Sequence, residues 1–482
     1  MVCAHVALRA LVCIFFHRNA GSAYSVAAFS ASVSTFSELQ RVFEEGATSI
    51  VVVGSDDIVF SQPLELHGTA LSIEGQVGTT TLSGDGSVIL FTVDGGGKLS
   101  LRGVTLAYCG NSNKIAGGAV AVVSGSELVM ESVRVSMSTA AFGGAIYVIE
   151  RSRVVLTDCT MVSNSALWGG AIYVIDESVV TIQNSTLTTN SAVYGGAVFV
   201  SGNSTVSATG CAMTSNSAAM GGAVYVDPGV VAATDCTMTS NSASYFSGAI
   251  LVAGRSTVYA GGCTMALNNA SSSGAVVAAG RHAIVAANNC TMTSNFAHNS
   301  GGAVYAEASS IVAATSCTMT WNSASSGGAV FAGYESVVTV TDCAMSSNSA
   351  NLGGALHALD DATVTAVFCT MTWNNASSGG GILAGKRAIV TATDCTMIAN
   401  SALFGGGAVS LRDDSTVAAI DCVMRFNVAS SGGAIATVGE STVTVTGCTM
   451  ISNIAYSEGG AVSARRDSTV TANNCTMASN FA

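Results

Sequence analysis

"CTMTSNSASYFSGAILV" (residues 236–252) returns as "CTMTSNFAHNSGGAVYA" (290–306) and again as "CTMTWNSASSGGAVFA" (317–332). Working outward, the chain aligns on Cys159, Ser185, Cys211, Cys236, Cys263, Cys290, Cys317, Cys343, Cys369, Cys395, Cys422, Cys448 and Cys475, in steps of 25 to 27 residues. Five residues after each comes asparagine: Asn164, Asn190, Asn216, Asn241, Asn268, Asn295, Asn322, Asn348, Asn374, Asn400, Asn427, Asn453 and Asn480. Valine stands five residues before and alanine seven after, every time, and methionine stands two after in every unit but that of Leu187. Self-similarity of this period has to be read before a chain is divided by typical domain length, because it signals stacked structural repeats.

Within one unit, "SVVTVTDCAMSSNSANLGGALHAL" (336–359), apolar and polar residues alternate over short stretches broken by Gly, Asn, Asp and Ser. That is strand periodicity, without helical spacing. Three short strands per unit cannot each bury a face alone and gain a core only by stacking coil on coil, about 4.8 Å apart. The expected fold is all-β: a right-handed parallel β-helix of about sixteen coils, roughly 75–80 Å long at that spacing. Alternation points Val338, Val340, Cys343, Met345, Leu356 and Ala358 inward, and Thr339, Ala344, Ser346 and His357 outward. The asparagines are expected to stack into a ladder, donating and accepting along the axis where turn backbone groups would otherwise be buried without partners. Met fills irregular core space, and the glycines permit positive φ or close backbone packing.

"GGAI" at 143–146 and 169–172, with Met-x-x-Asn one turn earlier, resembles the GGA(I/L/V)…FxxN repeats of the chlamydial polymorphic outer membrane proteins, within the pectin lyase-like right-handed β-helix superfamily. The resemblance covers roughly residues 103–482 and implies a secreted or surface-displayed passenger with a role in adhesion. Two departures stand out: Met replaces the family's Phe, and no membrane barrel follows the repeats.

The chain divides into residues 1–23, which resemble a secretory signal peptide, residues 24–102, a cap with irregular first coils, and the regular repeats 103–482. In the cap, Thr35-x-x-Glu38 reads as the capping box of a short helix running through Glu45 and ended by Gly46, placed to plug the open end of the first coil. The repeats stop mid-coil at "CTMASNFA", which leaves a parallel edge: either the sequence is a piece of a longer surface protein or this edge pairs end to end with another chain. Six Asn-x-Ser/Thr sequons, at Asn184, Asn203, Asn269, Asn289, Asn375 and Asn474, fit a glycoprotein on a secretory route. An extracellular or cell-surface location is expected.

Only 10% of residues are charged, mean hydropathy is +0.51, and 53 Gly stand against 2 Pro. The net charge of −12 and the lack of a basic stripe exclude nucleic acid as a partner. No apolar run is long enough to span a membrane as a helix. No cofactor or metal is expected: His5, His17, His67, His282, His298 and His357 do not cluster, and no Cys-x-x-Cys occurs. The cysteine column reads as buried thiols acting as small hydrophobes, with axial disulfides as the alternative.

Three features carry functional expectations. Tyr147, Tyr173, Phe199 and Tyr225 follow the GGA step on consecutive coils, with Phe142, Trp168, Tyr194 and Phe246 just before the glycines. They read as an exposed band for a polysaccharide or cell-surface glycan, centred on Trp168, Tyr173, Tyr194, Phe199 and Tyr225; the alternative is mutual stacking that shields the glycine strand. Thr186/Thr188, Thr237/Thr239, Thr291/Thr293, Thr318/Thr320 and Thr370/Thr372 set paired hydroxyls outward, which resembles the lattices of ice-binding β-helices, though Ala212, Ala266, Ala344, Val423 and Arg425 interrupt them. Asp394 and Asp421, in one column on adjacent coils, with Asp413 and Asp414 in the turn between them, are the weak candidates for a pectate lyase-like polysaccharide-active enzyme. The charged pairs Asp360–Asp361, Lys386–Arg387 and Arg465–Arg466 read as a solvated rim. The expected role is non-catalytic: adhesion or glycan and cell-wall interaction along a flat face.

Overall fold

The computed structural model describes residues 30–54, 57–76, 78–110 and 117–482; the leader-like stretch 1–23 lies outside them. In a mid-chain coil the three strands are Val337–Thr341, Ala344–Ser346 and Leu356–Ala358. Each pairs in parallel with its equivalent one coil on: Val338 with Val364, Met345 with Met371, Leu356 with Ile382. Repeated coil after coil, these pairings make three long parallel sheets around one core, in a solenoid of about sixteen turns. A fourth short run, Ser349–Leu352 in this coil, also pairs along parts of the rod. It follows the asparagine, whose side chain fixes the register of the backbone beside it.

The core follows the alternation. Val338, Val340, Cys343, Met345, Leu356 and Ala358 are each at most 1% exposed. His357 was expected on the open outer face, yet it is buried. The cause lies in the turn before the strand. Gly353 has φ +63°, and a Cβ built there would fall 2.3 Å from the Leu356 carbonyl oxygen and 2.9 Å from the His357 Cβ. The turn therefore folds back directly over the third sheet's outer face, which only glycine allows. What leaves the core on that sheet goes under a roof instead of into water.

The ladder is continuous from Asn164 to Asn480, and each member through Asn453 donates to the next. Asn348, fully buried, shows the pattern. Its Nδ2 donates to the Met319 carbonyl at 2.9 Å and to Asn374 Oδ1 at 3.0 Å. Its Oδ1 accepts from the Asn322 main-chain N–H at 3.0 Å and from Asn322 Nδ2 at 3.1 Å. Toward the N-terminal end Ser138 and then Cys109 take over the column, with Ser138 N–H donating to Asn164 Oδ1.

All thirteen cysteines among the described residues are free, and twelve are buried. Each Sγ from Cys236 to Cys448 lies within hydrogen-bond reach of two carbonyls, as Cys343 does of Ala314 and Thr341. Burial pushes the Cys159 thiol up to about 11 and that of Cys109 up to about 12, so these thiols stay protonated.

At the N-terminal end the helix α1 spans Phe36–Glu44, with Thr35 as N-cap accepting from the Glu38 N–H. Glu38 reaches back one residue further than a standard box, to the Ser34 N–H at 2.8 Å. Its apolar side, Leu39 and Val42, is buried against the first coil.

Candidate functional site

The five aromatic residues singled out in the sequence come together, but as a packed stack and not as an open band. Tyr147, Tyr173, Phe199 and Tyr225 lie ring on ring, with centroids 5.5, 5.2 and 5.3 Å apart and planes within 9°. Trp168 and Tyr194 stack at 4.1 Å in the turn above, and Trp168 meets Phe199 edge-on at 5.0 Å. Tyr173 and Phe199 are buried, while Trp168, Tyr194 and Tyr225 are half-buried. The expected exposure is corrected by the same roofing turn that buries His357. Burial, then the neighbouring Tyr147 and Asp176, pushes the Tyr173 hydroxyl up to about 12. Consecutive coils are close enough for each ring to be satisfied by the next.

Asp394 and Asp421 do occupy one column on adjacent coils, since Thr393 pairs with Ile420 in the strands that precede them. Both are exposed turn residues with φ +52°. Asp413 and Asp414 lie in a different turn of the coil, and Asp413 faces Arg412 at 3.7 Å. No group of metal-ligating side chains occurs among the described residues. The threonine columns bond to themselves: Thr214 to Thr188, and Thr320 to Thr293, each at 3.0 Å. The charged rim pairs across coils, Lys386 with Asp360 at 3.3 Å and Arg387 with Asp361 at 2.6 Å.

The sequence reading missed a different column. The residue just before each ladder asparagine reads Leu267, Ser294, Trp321, Ser347, Trp373, Ala399, Phe426 on seven consecutive coils. Large apolar side chains occupy every second coil, and Ser or Ala stands between them. Trp321 and Trp373 are 68% and 69% exposed, the most exposed tryptophans described. All seven have φ between +54° and +58°. This left-handed region costs a side-chain-bearing residue about 1–2 kcal/mol, and a bulky aromatic gains nothing from the fold by being there. The position is fixed by the ladder beside it and by main-chain bonds to the next coil, Trp321 N–H to Ser346 at 3.2 Å and Trp373 N–H to Ile398 at 3.1 Å. Between the two indoles lies a cleft of about 580 Å³, lined by Ser323, Ser347, Ser349 and Asn375 above the ladder amides of Asn322 and Asn348. Apolar walls, a floor of hydroxyls and amides, and no charged group make a surface suited to a neutral polyhydroxylated ligand. The signal was available in the sequence as a column whose residues alternate large and small.

Fold and register define the molecule as a right-handed parallel β-helix. A family model described as the right-handed β-helix region matches residues 25–213 and 288–476, and the chain belongs to that family. No curated protein sequence matches it. Among solved structures it is similar to an alginate lyase (11% identity, 72% of this chain and 86% of that one, TM-score 0.35) and to the tailspike protein 3 of bacteriophage CBA120 (12%, 90% and 58%, 0.30). It is also similar to the A-module of an Azotobacter vinelandii mannuronan C-5 epimerase (12%, 91% and 92%, 0.25). At these identities the likeness is one of fold.

Proposed function

We propose that this protein is a non-catalytic, secreted or cell-surface β-helix that adheres to glycans through the turn edge carrying Trp321 and Trp373. The observation that carries the reading is the cleft between those two indoles, apolar at its walls and hydroxyl- and amide-lined at its floor. Aromatic rings stack on the C–H face of a sugar while small polar groups meet its hydroxyls. The rigid ladder behind the column fixes the backbone that carries the rings, so no main-chain ordering entropy remains to be lost on binding. A surface location is supported by the sequons at Asn184, Asn203, Asn269, Asn289 and Asn474, which are all exposed and lie outside the cleft. The repeat pattern that resembles polymorphic outer membrane proteins supports the same setting.

The test is a glycan array probed with the intact chain, with the Trp321→Ala/Trp373→Ala double variant, and with Trp168→Ala as a control in the half-buried ring stack. Binding that is lost in the double variant and kept in the control supports the reading. Binding that ignores both tryptophans rules out this edge.

A further inference from the structure

We infer that the alternate-coil column selects an uncharged, extended β-1,4-linked polysaccharide and holds it parallel to the rod axis, one aromatic or apolar platform to every second sugar. This rests on the glycan-binding reading above and adds its ligand class. Coils repeat at the strand separation, so platforms two coils apart stand about 10 Å from one another. In a β-1,4-linked chain of equatorially linked rings each sugar is turned half a revolution from the last. The same face and the same hydroxyl pattern therefore return only at every second sugar, and the disaccharide length matches that two-coil step. An α-1,4-linked glucan, joined axial to equatorial, curls and cannot stay in register with a straight row.

The small residues are as informative as the large ones. Ser294, Ser347 and Ala399 leave room for the intervening sugar, whose hydroxyls fall beside Ser323, Ser347, Ser349 and Asn375 in the central cleft. Charge narrows the choice further. The chain carries a net charge of −12, and no cationic residue lines the cleft. A polyuronate with a carboxylate on each sugar would be repelled with nothing to pair it. From Leu267 to Phe426 the row spans six coil steps, roughly 29 Å, which accommodates about three disaccharides. The two tryptophans form its centre, with the aliphatic Leu267 and the single ring of Phe426 as smaller outer platforms.

The experiment is calorimetric titration of the full chain, produced in a bacterial host so that the Asn375 sequon stays unmodified. The ligands are cellohexaose, chitohexaose, maltohexaose and hexagalacturonate. A β-1,4-linked neutral hexaose should bind at least tenfold more tightly than maltohexaose or hexagalacturonate, and Trp321→Ala or Trp373→Ala should each weaken it about tenfold. A register variant sharpens this: Trp373→Ser with Ser347→Trp puts two indoles on adjacent coils, where they stack on each other, and affinity should fall to that of the double alanine variant. All substitutions are at surface positions, and an unchanged thermal midpoint verifies the fold. Tryptophan-dependent binding that prefers maltohexaose or hexagalacturonate, or full affinity in the register variant, overturns the inference and leaves the glycan reading standing. Absence of binding to all four ligands, or binding that both alanine variants retain, overturns both.

Discussion

The same residue types do opposite things in two columns of this rod, one under the glycine turn and one beside the asparagine ladder. In the first, Tyr147, Tyr173, Phe199 and Tyr225 sit on consecutive coils and stack at 5.2 to 5.5 Å, so each ring covers its neighbour. In the second, Trp321 and Trp373 sit two coils apart on a turn edge and leave their faces to solvent. The difference is one of spacing against a fixed lattice. A solenoid quantises distance along its axis: one step lets aromatic rings satisfy each other, and two steps leave them for a ligand.

Both regions depend on the ladder, and breaking it should have the largest effect. Asn348→Ala removes four buried hydrogen bonds and strands the Met319 carbonyl and the Asn322 N–H. At about 1–3 kcal/mol for each of these two buried groups left unpaired, a loss of roughly 2–6 kcal/mol is expected in denaturant unfolding. Asn164→Ala, behind the ring stack, should cost a similar amount, but only the Asn348 change should also abolish glycan binding. If the two variants cost less than 1 kcal/mol, the ladder is not what holds the two regions in register.

The next effect concerns the roofed column where the rings give way. His357 lies edge-on to Phe331 at 5.5 Å, and neither ring nitrogen has a hydrogen-bond partner. Burial first, then the positive charges of Arg412 and Lys386, pushes it down to about 3 from an ordinary 6.5. The unfolded chain therefore takes up this proton first as pH falls. Stability is complete above pH 6.5 and is lost progressively down to pH 3, by about 4–5 kcal/mol at 1.36 kcal/mol per unit. His357→Leu, which copies Leu383 one coil on, should flatten urea midpoints over that window relative to the parent. An unchanged slope would show that His357 is solvated.

The stack itself comes third. Phe199→Ala empties a site flanked by Tyr173, Tyr225 and Trp168 and should cost about 3 kcal/mol, the low end for a buried phenylalanine. Glycan affinity should not change. A loss of affinity with the midpoint unmoved would restore the ring band as a binding surface.

What the sequence reveals divides along the same line. Columns fixed in every coil, the Val, Met, Cys and Asn positions, are legible because each is forced by the core or the ladder, and their inward placement follows from alternation alone. The aromatic band was misjudged because alternation tells on which side of a strand a side chain leaves, and not what lies over that side. The glycine turn that covers Tyr173, Phe199 and His357 is a tertiary feature, visible only once Gly353 and its equivalents are seen folding back on the strand. Asp394 and Asp421 were correctly placed on adjacent coils, yet their exposure comes from a left-handed turn, which the sequence marks only as a column of Asp, Asn, Gly and Ser. The Trp321–Trp373 column escaped notice because it varies, and a search for invariants passes over a residue that changes on every coil.

The smallest expected effect has the opposite sign. Trp373 sits at φ +58° with its ring mostly in solvent, so the fold bears left-handed strain there and recovers almost no burial. Asparagine tolerates that backbone region far better, because its short side chain can bond locally. Trp373→Asn should therefore raise stability by about 0.5–1 kcal/mol, a shift measurable in urea, while glycan affinity falls. Phe199→Ala should do the reverse, losing stability and keeping affinity. A residue that weakens its own fold is retained for something outside the fold, whereas one that only packs cannot show that sign. If Trp373→Asn instead destabilises by more than 1 kcal/mol, the indole is packing against the coil, and the distinction between the two columns collapses.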